Sequence, residues 1–274
     1  MKRTYTVEMV VLVSVIALSL AGFSSLLLGA APKLDGYQYL HVATSLGWLL
    51  LLLSQLVLIR QRRFKSHRSV GLCIFGAGPV LVATLVLLTV HSAAKSADAG
   101  RADDMVVPNV MVTLEVALLV FLAFWLRGNR AIHGALLLST ALLFAGIALF
   151  FTLIAWAPAY RIEGPDTFHR FAEAAQASTV VVLLAGLLLF LRDRRGGWPW
   201  LLAGSMFALN GLLQMLVERA DFMQALTIAV AALGRLPAFA LGLGVFLALL
   251  GVAWRREAGN RGRKPVSAGT EAAR

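Results

Sequence analysis

Eight stretches of this chain are apolar for long enough to cross a lipid bilayer, and this constrains the fold more than any other feature of the sequence. A bilayer core of roughly 30 Å takes about 20 helical residues to span. The stretches are Val7–Ala30, Tyr39–Ile59, Ser69–Val90, Val107–Leu126, Ala131–Trp156, Ala174–Leu191, Trp198–Val217 and Leu236–Trp254. They are rich in leucine, alanine and valine and do not alternate with polar residues, so they read as helices and not as barrel strands. Lipid offers no partner to a backbone N–H or C=O, and a helix satisfies its own. Only 14% of residues are charged and 59% are hydrophobic, where a soluble domain carries about 25% charged residues. The lone cysteine, Cys73, excludes a disulfide scaffold. The expected fold is an all-α polytopic membrane bundle of about eight transmembrane helices.

The net charge of +11 suggests a nucleic-acid partner only until the arginines are placed. They stand in short loops between apolar runs, not on a water-facing surface, so no nucleic acid is expected. Alternate loops share them unequally. Lys2 and Arg3, the five from Arg60 to Arg68, Arg127 with Arg130, the three from Arg192 to Arg195, and the six from Arg255 to Arg274 fall on one side, eighteen of 25. The positive-inside rule makes that side cytoplasmic and both termini N-in and C-in. Residues 1–256 are expected to form the bundle, and residues 257–274 a basic disordered cytoplasmic tail held at an anionic leaflet. Glu8 interrupts the start of the first run, which reads as an uncleaved helix. Arg235 and Pro237 open the last run, so Asp221–Gly234 is either a separate helix or the outer turns of a long one. Asp103 and Asp104 read as solvated loop charges. GxxxxGK[ST] does not occur, which excludes an ATP-driven pump on this chain.

Polar residues inside lipid-spanning runs are costly and therefore informative. Glu115 lies in the fourth run, Gln55 in the second and Gln176 in the sixth. Asn210, Gln214 and Glu218 follow one another at i, i+4 and i+8 on one face of the seventh. Two uses stay open for them: interhelical hydrogen bonds that hold the bundle together, or a polar path around Glu115. Trp48 shares a face with His41, Ser45, Leu52 and Gln55, and that face is expected to point into the bundle.

The five histidines fall near span ends. His67 and His133 open the third and fifth runs at the basic side; His41, His91 and His169 lie at the other. Paired imidazoles on neighbouring helices are what a bis-histidine b-type haem needs. His67 with His133 makes one such pair, and His41 with His91 or His169 makes another. Gly71, a turn beyond His67, leaves room for a flat group. No CxxCH, HExxH or GxSxG is present, so covalent haem, a zincin centre and a serine hydrolase are excluded.

The run His41, Gly47, Gln55, Arg60, Arg63, His67-Arg68 and Gly71 resembles a family of bacterial integral membrane proteins of unknown function. Arg130 and His133 resemble that family's later arginine-and-histidine element, so the likeness covers roughly Leu40–Trp156 and implies a multi-pass protein of the bacterial inner membrane. The layout is also similar to the ascorbate-reducible dihaem cytochromes, whose haem-ligating histidines stand on four consecutive helices. The fourth run here has no histidine, and the comparison carries the His67–His133 pair. The functional expectation is a b-type haem electron-transfer protein, a membrane oxidoreductase in class, that meets a redox partner or other membrane subunits. A transporter or channel-like bundle with a path through Glu115, Gln55, Asn210, Gln214 and Glu218 is the alternative, and a ligand-free membrane scaffold or assembly protein is the third.

Overall fold

A computed structural model describes residues 5–28 and 35–262, with side chains at 5–24 and 35–256. The described residues are helical, with no strands among them. The helices are α1 (Thr6–Leu28), α2 (Gly36–Arg60), α3 (Phe64–Gly71), α4 (Ile74–Asp98), α5 (Val106–Trp125), α6 (Arg130–Trp156), α7 (Arg170–Arg192), α8 (Trp198–Arg219), α9 (Met223–Ala231) and α10 (Arg235–Gly262). Eight long apolar helices can cross a membrane, and the protein is an all-α, multi-pass membrane bundle. The stretch expected as a tail begins inside α10, which runs to Gly262; residues 263–274, with Lys2, Arg3 and Lys33, lie outside the described residues.

Helix α6 is the central post. Of its apolar window 61% is buried, against 22% for the windows of α7 and α10, and it touches α1, α2, α5, α7 and α8. A helix apolar all round belongs in such a position. The outer helices turn Val180, Leu184, Leu188, Leu241 and Val245 outward, where lipid receives them. Asn129 caps α6, its Oδ1 accepting from the Ala131 and Ile132 N–H groups at 3.2 Å each.

Polar side chains tie the helices across the apolar core. Trp48, with no exposed surface, donates Nε1–H to Thr140 Oγ1 at 3.0 Å, joining α2 to α6. The Trp48 face does point inward, as Leu52 and Gln55 are also buried. Thr140→Val keeps the shape and strands the indole N–H; a loss of about 1–3 kcal/mol is expected, read as lowered resistance to denaturant in detergent. Glu8, buried on α1, meets Arg192 at the end of α7 at 3.4 Å. α7 and α8 cross with their backbones nearly touching at Gly186 and Gly204.

One segment differs from the sequence expectation, and another is decided between its two alternatives. The third run divides: α3 ends at Gly71, and the N–H groups of Leu72, Cys73, Phe75 and Gly76 bond three residues back instead of four. Pro79 explains the distortion, because it has no N–H and its ring crowds the carbonyl of Phe75 in the first turns of α4. The Asp221–Gly234 segment holds a separate helix, α9, which packs on α4 and α5. Gly234, at φ +70°, makes the left-handed link into α10. α9 also overturns one local expectation: Asp103 is buried, not solvated. Its N–H donates to Thr227 Oγ1 on α9 at 3.0 Å, and its carboxylate accepts from the Met105 N–H.

Candidate functional site

Tyr5 before α1, the ends of α2, α5 and α10, much of α3 and the starts of α4 and α6 surround one large cavity of about 1660 Å³. That exceeds the roughly 300–1,000 Å³ of an ordinary ligand pocket. The cavity also brings three of the basic segments together, since Arg68, Arg127 with Arg130, and Arg256 all line it. Its lining includes Leu52, Leu56, Ile74, Phe124 and Leu137 as an apolar wall, and no aspartate or glutamate among the described residues. The site is therefore apolar within and positive at the rim. That chemistry suits a large, mostly apolar ligand bearing anionic groups.

His67 and His133 both line this cavity, with Gly71 and Gln55 beside them. Both imidazoles are half-buried, and His133 with Arg68 acts electrostatically on His67. His133 Nδ1 lies 2.8 Å from the Ala123 carbonyl oxygen on α5. A carbonyl only accepts, so Nδ1 carries the proton and Nε2 is the lone-pair nitrogen. Gln55 holds α3 in place: its amide nitrogen donates to the His67 carbonyl at 3.0 Å and faces His67 Nδ1, while its oxygen accepts from the Gly71 N–H at 3.3 Å. The amide is assigned in the orientation that satisfies both ends. A Cβ at Gly71 would stand 3.5 Å from Gln55, an ordinary contact, so packing does not demand glycine there.

The histidines of the opposite end are not brought to one cavity. His41 lines a small hollow of about 30 Å³ between α1, α2 and α6. His91 turns instead to Asp35, its Nε2 at 2.9 Å from the carboxylate, and stacks obliquely on Tyr37 at 5.2 Å. His169 is exposed, with its ring nitrogen 3.0 Å from the Asp166 carbonyl.

The polar stripe of α8 divides in two. Asn210, buried, donates Nδ2–H to Glu115 Oε2 at 3.3 Å across the α5–α8 seam. Gln214 donates to Glu218 Oε1 at 2.9 Å and to the Asp104 carbonyl at 3.3 Å, so it ties α8 to the loop before α5. Gln55 lies at the large cavity, well away from both.

One feature of the cavity rim is not read from the sequence. Arg127 lies 3.8 Å over the Trp254 ring and donates to the Trp254 carbonyl at 2.9 Å, while Arg256 lies 3.7 Å over Trp125. Each tryptophan is two residues before its arginine, and the two pairs clasp α5 to α10 reciprocally by cation–π contact. The signal was the repeated Trp-x-Arg spacing at Trp125–Arg127 and Trp254–Arg256, invisible as a pair until the helix ends meet. Among the described residues no group of three or more histidine, cysteine, aspartate or glutamate side chains is gathered as metal ligands. No protein-family model matches this chain, and neither the curated proteins nor the solved structures provide a match.

Proposed function

We propose that this multi-pass membrane protein binds b-type haem in the large cavity and serves electron transfer, as a membrane oxidoreductase. The observation that carries the reading is that His67 of α3 and His133 of α6 line one cavity with an apolar wall and a rim of arginines. The residues fit the group, His133 more closely than His67. His133 already holds its proton on Nδ1 against a backbone carbonyl, the arrangement that directs Nε2 at a metal. His67 receives the Gln55 amide at Nδ1, so ligation through Nε2 takes the Gln55 amide turned over, its oxygen accepting from Nδ1–H and its bonds to the His67 carbonyl and the Gly71 N–H given up. Arg68 and Arg130 at the rim suit the carboxylates of a porphyrin, and Leu52, Leu56, Phe124 and Leu137 offer its ring an apolar wall. Haem, when bound, supplies reversible one-electron chemistry at iron. The chain would supply ligation, orientation and an apolar wall.

By the positive-inside rule the arginine rim faces the cytoplasm, which puts the cavity mouth at the inner face of a bacterial cytoplasmic membrane, open to a redox partner or another membrane subunit. The test is an absorption spectrum of the full chain purified in detergent from haem-replete cells, oxidised and then dithionite-reduced. A Soret band with sharp reduced α and β bands supports the reading. A flat visible spectrum overturns it.

A further inference from the structure

We infer that Glu115 and Asn210 form a proton-binding site inside the bundle, exchanging with the end of the molecule that bears Glu218. It shares no residue with the large cavity and stands independently of the haem reading. Glu115 and Asn210 are each 4% exposed, on α5 and α8. One hydrogen bond joins them, from Asn210 Nδ2 to Glu115 Oε2, and two buried atoms of the same pair are left without a partner: Glu115 Oε1 and Asn210 Oδ1.

Those two atoms are both acceptors when the carboxyl is ionised. Two acceptors left bare in lipid-like surroundings are costly, and so is a carboxylate without a counter-charge. A proton on Oε1 resolves both. Oε1–H then donates to Oδ1 while Nδ2–H donates to Oε2, and the acid and the amide satisfy one another with two parallel bonds. An Asn–carboxylate pair held only for packing needs no such complement of unpartnered atoms.

Charge does not offer an alternative partner. On the helices packed against α5, the ionisable side chains described are His91, Lys95 and Asp98 of α4, Arg130 and His133 of α6, Glu218 and Arg219 of α8, and Arg235, Arg255 and Arg256 of α10; all stand toward the helix ends, and α9 has none. Glu115 itself is nine residues into α5, about 13 Å from its start. The route outward follows α8. Gln214 lies one turn from Asn210 and donates to Glu218, which is exposed, so polar groups recur at each turn from the buried pair to water.

Infrared difference spectroscopy on the full-length protein in detergent or liposomes tests this. The wild type minus Glu115→Gln spectrum is expected to contain the C=O stretch of a protonated carboxylic acid at neutral pH. That band should shift in Asn210→Leu, which removes the amide partner, and disappear reversibly on alkaline titration. In D2O it should downshift, and Gln214→Leu should slow that exchange several-fold. Absence of the band at neutral pH overturns the proposal, as does a band that no alkaline titration of the folded protein removes. An exchange rate unchanged by Gln214→Leu overturns the route along α8. Each variant is checked for folding by its thermal unfolding, and Asn210→Asp keeps the shape should Asn210→Leu fail to fold.

Discussion

His133→Ala is expected to abolish the Soret band and the reduced α and β bands that the haem proposal requires, while leaving the protein's helical content and thermal unfolding close to wild type. The expected fall in haem per polypeptide is at least about tenfold, since altering even outer partners of a metal ligand typically costs 10–100-fold in affinity. The effect should be larger than that of His67→Ala. His133 stands in the first turn of α6, the most buried helix of the bundle, with its ring fixed by the Ala123 carbonyl. His67 sits on the eight-residue helix α3, which has no buried residue and is held at this point by Gln55. His67→Ala should therefore keep a fraction of the haem with one axial imidazole, seen as broadened, weakened α and β bands. Gln55→Leu should move the spectrum in the same direction and less far. A wild-type spectrum in both histidine variants would exclude the pair as ligands. Folding is the control, because neither ring is fully buried and neither fills the core.

The second large effect is on stability and sits away from the cavity. Gly186→Leu and Gly204→Leu are each expected to cost about 3 kcal/mol or more, the upper end of overpacking losses. A Cβ at Gly186 would lie 2.6 Å from the Trp200 carbonyl oxygen and 2.9 Å from Gly204 Cα; one at Gly204 would lie 2.9 Å from Gly186 Cα. The obstructing atoms are backbone, so no rotamer change relieves them and α7 and α8 must separate. In a membrane that contact matters more than in water, since lipid is as apolar as leucine and close backbone approach is what holds helices together. Gly251→Ala in α10 is the matched control: nothing lies within 4 Å of its added Cβ, and the substitution is expected to be neutral or stabilising by up to about 1 kcal/mol. Chemical denaturation in detergent ranks the three. Equal stability of Gly186→Leu and Gly251→Ala would show that the α7–α8 crossing does not limit the bundle.

Sequence by itself determined the fold class and the number of crossings. Spanning lipid takes about 20 apolar residues of helix, and runs of that length are countable without any knowledge of packing. It also determined that the basic loops share one end, because orientation rule and loop order are both one-dimensional. Periodicity placed Trp48, Leu52 and Gln55 on an inward face, and they are inward. Contacts between helices were another matter. Most faces of every run are apolar, so the hydrophobic pattern that identifies a buried face in a soluble helix is silent about which neighbour each helix meets. Only the tertiary structure decided that His67 and His133 share a cavity while His41 and His91 do not. Only it paired Glu115 with Asn210, ninety-five residues on, and joined Gln214 to Glu218 further along the same stripe. The Trp–Arg clasp between α5 and α10 likewise needs two helix ends to meet. Local and compositional physics fixes which segments are helices in lipid; side-chain recognition across the seams, which depends on the three-dimensional arrangement of otherwise similar apolar helices, fixes which polar groups become partners.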